Sequence, residues 1–323
     1  MELILFITKF AHFAAAFFAI TLSSLGAALG QGYAFKGTSE SLTRQAESSK
    51  AARQLQFVGL LLIEGGPALG LIFAILFLYQ GTSVLTLPIA LAELGIGLAF
   101  GLSALASGIA AGCAVAAATH AVSRQPFAAK KLSTFMMLME SFAEVSLIFS
   151  FIIGILIRSK ITPDLLMPDA LKLAAAALTL SLATVGVAIG QSMLASTNIE
   201  AVGLNQSMYG KIVTFTFITS AFIETPIFFA FFIALKMLYT STINISTTQA
   251  LSFFGAMLSS GLGSAGPAIG AAYISGKGIT EATLDPNKYD FLRKTTIFAQ
   301  LLLESGAIYA LLVSLFILSG MNS

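Results

Sequence analysis

Four glutamates in strict register constrain what this chain can fold into. Glu64, Glu144, Glu224 and Glu304 stand 80 residues apart, within LLLIEGGP, SFAEVS, FIETP and LLLESG. A carboxylate at membrane depth costs ~2.5–3.5 kcal/mol on insertion scales, so a single one already marks a functional site. Four at a fixed period mark a chain built from four copies of one unit. The units predicted from this period are residues 1–80, 81–160, 161–240 and 241–323.

The surroundings of the glutamates set the class. Only 10% of residues are charged and mean hydropathy is +0.90, against roughly 25% charged in a soluble domain. Eight apolar stretches lie near residues 3–35, 55–79, 85–118, 133–157, 170–196, 212–239, 249–275 and 295–319. Each is as long as the ~20 residues a spanning helix needs. The first runs on too far for the apolar core of a signal peptide and reads as an uncleaved helix. The chain is therefore expected to be an all-α membrane protein of eight transmembrane helices. Its one cysteine, Cys113, leaves no intrachain disulfide and reads as a packing residue. A net charge of +2 gives no sign of a nucleic-acid partner.

Each unit reads as a helical hairpin: a first helix rich in small residues, a polar loop, then a second helix with the glutamate. Small residues alternate at Gly26, Ala28, Gly30 and Gly32, and again at Gly186, Ala188, Gly190 and Ser192. Such residues let membrane helices approach backbone to backbone, and a run this broad suits a helix held between like neighbours on both sides. Twelve of the 17 Lys and Arg residues fall in the loops inside the units. The positive-inside rule then expects these loops in the cytoplasm and both termini outside.

Depth follows from counting. Gln31 lies 16 residues before Glu47 in the first loop and Glu64 lies 17 after it, so both sit ~25 Å from the turn at ~1.5 Å per residue. Gln191 and Glu224 repeat the arrangement, whereas Ala111 and Ala271 take the amide's place in units two and four. At Glu224 more oxygens converge. Pro226 has no N–H for the carbonyl of Phe222, and the Thr225 hydroxyl is adjacent.

Each unit resembles the c subunit, or proteolipid, of F-type rotary ATP synthases. The segments GAALGQGYAFKGTSESLTRQAE and VGLLLIEGG are similar to sodium-type c subunits. The family's Arg-Gln-Pro loop stands at Arg124, Gln125 and Pro126, and as Arg44-Gln45-Ala46 in unit one. Units three and four depart from it, with Leu204-Asn205-Gln206 and Leu284-Asp285-Pro286. The fusion of four hairpins is itself a departure from one hairpin per chain.

The resemblance implies a membrane ring of hairpins turning against a stator a subunit. Each glutamate would take up an ion, carry it round and release it, while the loop residues Arg44, Gln45, Arg124, Gln125 and Pro126 grip the central stalk. The implied ion-binding set is Glu64, Glu144, Glu224 and Glu304 with Gln31, Gln191, Thr225, Ser305 and the Phe222 carbonyl. Glu140, one turn before Glu144, is an accessory candidate. The transported ion is expected to be a proton. Sodium is the alternative, with its fullest oxygen set at Gln191, Glu224 and Thr225. No cofactor is implied and no catalytic residue, since the chain has no Gly-x-x-x-x-Gly-Lys-Ser/Thr phosphate loop. Implied partners are further copies of the chain in a closed ring, with about three chains as the expectation, together with the stator, the stalk and the bilayer, in a bacterial inner membrane.

Rival readings are a V- or A-type proteolipid, also a fused rotor subunit, and a secondary transporter. Fused V-type chains recurrently lose one glutamate, and here all four units keep theirs; transporters usually show halves with broken helices. Of the remaining polar residues, Glu93 is expected near a helix start where the dipole favours an anion. His12 and His120 are expected near helix ends, and Glu40 is expected to pair with loop bases or stator groups.

Overall fold

The computed structural model describes residues 2–79, 85–242 and 245–320, and every regular element within them is helical. The elements are α1 (Glu2–Arg44), α2 (Ser49–Ile63), α3 (Gly65–Tyr79), α4 (Leu87–Arg124), α5 (Ala129–Arg158), α6 (Met167–Leu204), α7 (Tyr209–Tyr239), α8 (Thr247–Ala250), α9 (Ser252–Leu284) and α10 (Tyr289–Gly320). The expected boundary at residues 80 and 81 and the last three residues lie outside the described residues. The boundaries at 160 and 240 fall in the links after α5 and α7.

Two departures from eight uninterrupted apolar spans have physical causes. The second span of hairpin 1 divides at Glu64, between α2 and α3. Pro67 follows three residues later and cannot donate to the carbonyl of Ile63, and two glycines between them hold the helix only weakly. The helix Ser252–Leu284, at 33 residues, is long enough to span. It is not among the seven helices that also meet a membrane hydropathy, because Ser259, Ser260, Gly261, Gly263 and Ser264 dilute its apolar residues. With its partner helices it completes four tandem hairpins, and the chain is an integral membrane protein.

The helices form two staggered rows. The first helices α1, α4, α6 and α9 pack side by side in chain order. Each second helix lies between its own first helix and that of the following hairpin: α2 and α3 between α1 and α4, α5 between α4 and α6, α7 between α6 and α9. The last, α10, packs on α9 and α7 with no following first helix. Its outer side leaves Phe298, Leu302, Tyr309 and Phe316 more than 60% exposed. The far side of α1 likewise exposes Phe6, Phe10, Phe13 and Phe17.

Glycine sets the spacing of the inner row. A methyl group at Gly30 would run into the Gly108 carbonyl, and one at Gly112 into the backbone of Gly30. Gly32, one position round, has nothing within 4 Å. The small-residue run thus packs on one face of α1, which ends the row, and on both sides of α4, which lies inside it.

All four hairpin loops make the same turn. A short 3₁₀ turn begins at Ala46, Pro126, Gln206 and Pro286, again in 80-residue register. The backbone N–H of Gln45, Gln125, Asn205 and Asp285 closes each first helix onto the carbonyl four residues back. Where the Arg-Gln-Pro sequence is lost, other groups serve. In hairpin 4 the Asp285 side chain accepts from the Asn287 N–H at 3.2 Å and pairs with Lys288 at 3.1 Å. The Lys288 hydrogen bond holds the Asp285 carboxyl below its ordinary range.

Candidate ion-carrying site

Each of the four glutamates sits near the middle of a second helix, on the outer row. Uniform helical rise brings the first-helix amide level with the acid. Gln31 Nε2 donates to Glu64 Oε1 at 2.5 Å, and Gln191 Nε2 donates to Glu224 Oε1 at 3.2 Å. Gln191 is buried, and its Oε1 accepts from Ser220 Oγ at 3.5 Å. In hairpin 2 the place of the amide is taken by Ala111. There a cavity of about 10 Å³ opens, lined by Ile63, Gly66, Ser107, Gly108, Ala111, Glu144 and Leu147, roughly the room one water needs. The Ser107 hydroxyl there is buried and has no hydrogen-bond partner.

The carboxylates also touch the hairpin before them. Glu144 lies against Gly65, where an added methyl would stand 3.5 Å from its Oε1. Glu304 lies near the Thr225 hydroxyl. In both cases the neighbour is the residue that follows the preceding hairpin's own glutamate. Glu64 has no preceding hairpin, and it alone of the four is exposed, the others being half-buried.

Several residues singled out from the sequence therefore hold different neighbours from those the linear reading suggests. Thr225 Oγ1 gives its proton to the Ala221 carbonyl at 2.8 Å, and the hydroxyl lies near Glu304, the next carboxylate along, rather than completing a set around Glu224. Ser305 Oγ donates to the Leu302 carbonyl at 2.8 Å, within its own helix. The helix α7 continues through Pro226, and Phe222 lies one turn before it. The proline carbonyl accepts from Ser264 Oγ of α9 at 3.1 Å. Glu140 is fully buried, and neither of its oxygens has a hydrogen-bond partner. Arg44 and Arg124 project from the loop ends of α1 and α4, with Gln45, Gln125 and Pro126 half-buried in the turns.

Two pairs were not foreseen. Glu93 lies seven residues into α4, past the first turn where the helix dipole acts, so the dipole does not explain it. It is buried and shares a 2.6 Å hydrogen bond with His12 Nδ1 of α1. At the loop end Glu40 pairs with His120 Nε2 at 2.8 Å. These two pairs tie hairpin 1 to hairpin 2 at both ends. The only sequence signal was that each His lies about one period from its Glu.

Comparison with known proteins gives the lineage. The family of the ATP synthase C subunit matches residues 94–157 and 254–317, the bodies of hairpins 2 and 4. The ATP synthase c subunit of Enterococcus hirae is 35% identical over 68 residues, covering 21% of this chain and 96% of the relative. That of Lactobacillus helveticus is 38% identical over 74 residues, covering 23% and 96%. That of Bacillus cereus is 40% identical over 60 residues, covering 19% and 83%. The chain belongs to the ATP synthase c-subunit family. Each of these relatives is about as long as one hairpin, so this member carries the family's unit in tandem. The two matched segments begin two repeat periods apart and each includes one of the periodic glutamates.

Proposed function

We propose that this chain is the membrane rotor subunit of a rotary F-type ATP synthase, carrying protons on Glu64, Glu144, Glu224 and Glu304. The observation that carries the reading is the recurrence of one carboxylate per hairpin at the same place in each second helix, half-buried in hairpins 2 to 4 and exposed in hairpin 1, which has no hairpin before it. A carboxylate in apolar surroundings is stable there when protonated and must meet a charge or water to release its proton. That is the property a rotor needs. The subunit itself binds and releases ions and leaves phosphate chemistry to a separate head.

The open ends of the two rows fit a closed ring. A second copy's α1 would fill the place beside α10 that a following first helix fills in the other hairpins. Ser305 would then stand beside Glu64 of that copy, as Thr225 stands beside Glu304. About three copies, giving roughly twelve hairpins, would close the circle. The loops face the cytoplasm and grip the central stalk, the termini lie outside, and the membrane is a bacterial plasma membrane.

The oxygen sets favour the proton. A sodium ion must have its hydration shell replaced by several oxygens, whereas a proton needs only the carboxylate. Hairpin 2 offers Glu144 neither an amide nor a hydroxyl from its neighbour, having Ala111 and Gly65 in those places. Every site passes the same half-channels, so the poorest sets the ion. The test is carbodiimide labelling with and without sodium. Unprotected labelling at all four glutamates is expected; protection of all four at millimolar sodium would overturn the proton assignment.

A further inference from the structure

The polar partner of the carboxylate changes place along the chain. Hairpins 1 and 3 carry it on the first helix, as Gln31 and Gln191, and have Leu60 and Ser220 one turn before the acid on the second. Hairpins 2 and 4 have Ala111 and Ala271 on the first helix. At the second-helix position they carry Glu140 and Gln300. Both side chains are fully buried. Leu60 shows that the fold accepts an apolar residue at this position, so packing alone does not call for a buried acid there.

The surroundings leave both groups with hydrogen-bonding capacity to spend. Gln300 Nε2 donates to the Ala271 carbonyl at 3.2 Å and to Ser275 Oγ at 2.6 Å, while its Oε1 has no partner. Val115 stands where hairpin 4 has Ser275, and both oxygens of Glu140 are without a partner. Hairpin 1 makes room for the acids of hairpin 2 with two glycines. A methyl at Gly59 would stand 3.2 Å from Glu140 Oε1, and one at Gly65 stands 3.5 Å from Glu144 Oε1. Residues four apart on a helix are neighbours on one face, and among the described residues Glu144 is the charged group acting on Glu140.

We propose that Glu140 and Gln300 are positioning residues for Glu144 and Glu304, supplying from the second helix the polar partner that Gln31 and Gln191 supply from the first. Two carboxyls one turn apart do not both ionise in such surroundings. Glu140 keeps its proton and offers it to ionised Glu144, directly or through a water, as the Gln31 amide does to Glu64. Gln300 is held by its amide N–H groups, and its free oxygen accepts the proton of Glu304. The ring then has two kinds of site, alternating from hairpin to hairpin. The inference rests on the rotor reading of the periodic glutamates.

The test is the pH profile of carbodiimide labelling at each glutamate of the purified assembly, read by mass spectrometry. Glu140→Leu, which gives hairpin 2 the residue of hairpin 1, removes the donor to ionised Glu144 and should raise its labelling rate about tenfold at fixed pH, about one pH unit in the profile. Glu64 and Glu224 should be unchanged, and adding Ala111→Gln should restore Glu144. Gln300→Leu should shift the Glu304 profile in the opposite sense, because the free Gln300 oxygen accepts a proton where Glu140 donates one. If Glu140→Leu does not assemble, Glu140→Gln keeps the shape and removes the acid's proton, and a smaller change in the same direction is expected. An unchanged Glu144 profile in the assembled variant, or a change that Ala111→Gln leaves in place, overturns the proposal. A Glu144 that never labels in the unaltered protein overturns the rotor reading and the proposal with it.

Discussion

Glu64 is exposed while Glu144, Glu224 and Glu304 are half-buried, and Glu64 is the one of the four with no hairpin before it. In chains dispersed singly in detergent, Glu64 should therefore react fastest with a carbodiimide; in the assembled ring its rate should fall to that of the others. An equally fast Glu64 in both preparations would mean that no second copy covers it. Conversion of any one glutamate to glutamine keeps its shape and removes its titration. On the proposed rotor reading every site passes one stator, so Glu144→Gln should abolish ATP synthesis in reconstituted vesicles as fully as Glu224→Gln, and a working Glu144→Gln enzyme would make hairpin 2 a spacer. The Gln31–Glu64 and Gln191–Glu224 pairs were legible from counting alone, because helical rise is uniform and both partners belong to one hairpin. Thr225 facing Glu304 was not, nor was His12 bonded to Glu93. Contacts between hairpins depend on how neighbouring helices are rotated and staggered, which an 80-residue period leaves open.

Single helices obey the same logic of neighbours. In α1, Gly30 meets the backbone of α4 and Gly32 meets nothing, although the two look alike in sequence. Gly30→Ala should destabilise by ~1–3 kcal/mol, since backbone must shift to admit a methyl group. Gly32→Ala should be neutral or slightly stabilising, because alanine is the better helix former by up to ~1 kcal/mol. Thermal unfolding of the two variants in the same detergent checks this, and equal melting temperatures would contradict the packing described. The second helices are also linked near their loop ends. Lys131 lies over the ring of Tyr209 at 5.4 Å and Lys211 over Tyr289 at 5.0 Å, one period apart. The matching places hold Ala51 of hairpin 1 and Ala129 of hairpin 2, and these two hairpins are tied by their His–Glu pairs instead. Helix content and the loop positions were legible, because apolar runs and polar breaks mark them directly. The division at Glu64 was not, since Pro67 and Pro226 lie at comparable distances from their glutamates yet only the first comes with Gly65 and Gly66.

The two rows of helices have two unlike ends. One exposes the aromatic face of α1 and the other that of α10, and each lacks what the other offers. Closure by further copies, as proposed, would satisfy both and give Glu64 a neighbouring hairpin. A chain of four hairpins also fixes the count: the number of sites per turn changes only in steps of four, and so the ion-to-ATP ratio changes coarsely. The hairpin plan was legible in the period and the hydropathy; the staggered packing of each second helix against the next first helix needed coordinates. The most direct measurement is the mass of the intact assembly from the membrane, with its helices counted by electron microscopy. A closed ring whose mass is a whole multiple of this chain and whose hairpins number a multiple of four is expected. A stable monomer, or a ring completed by separate single-hairpin proteins, would contradict it.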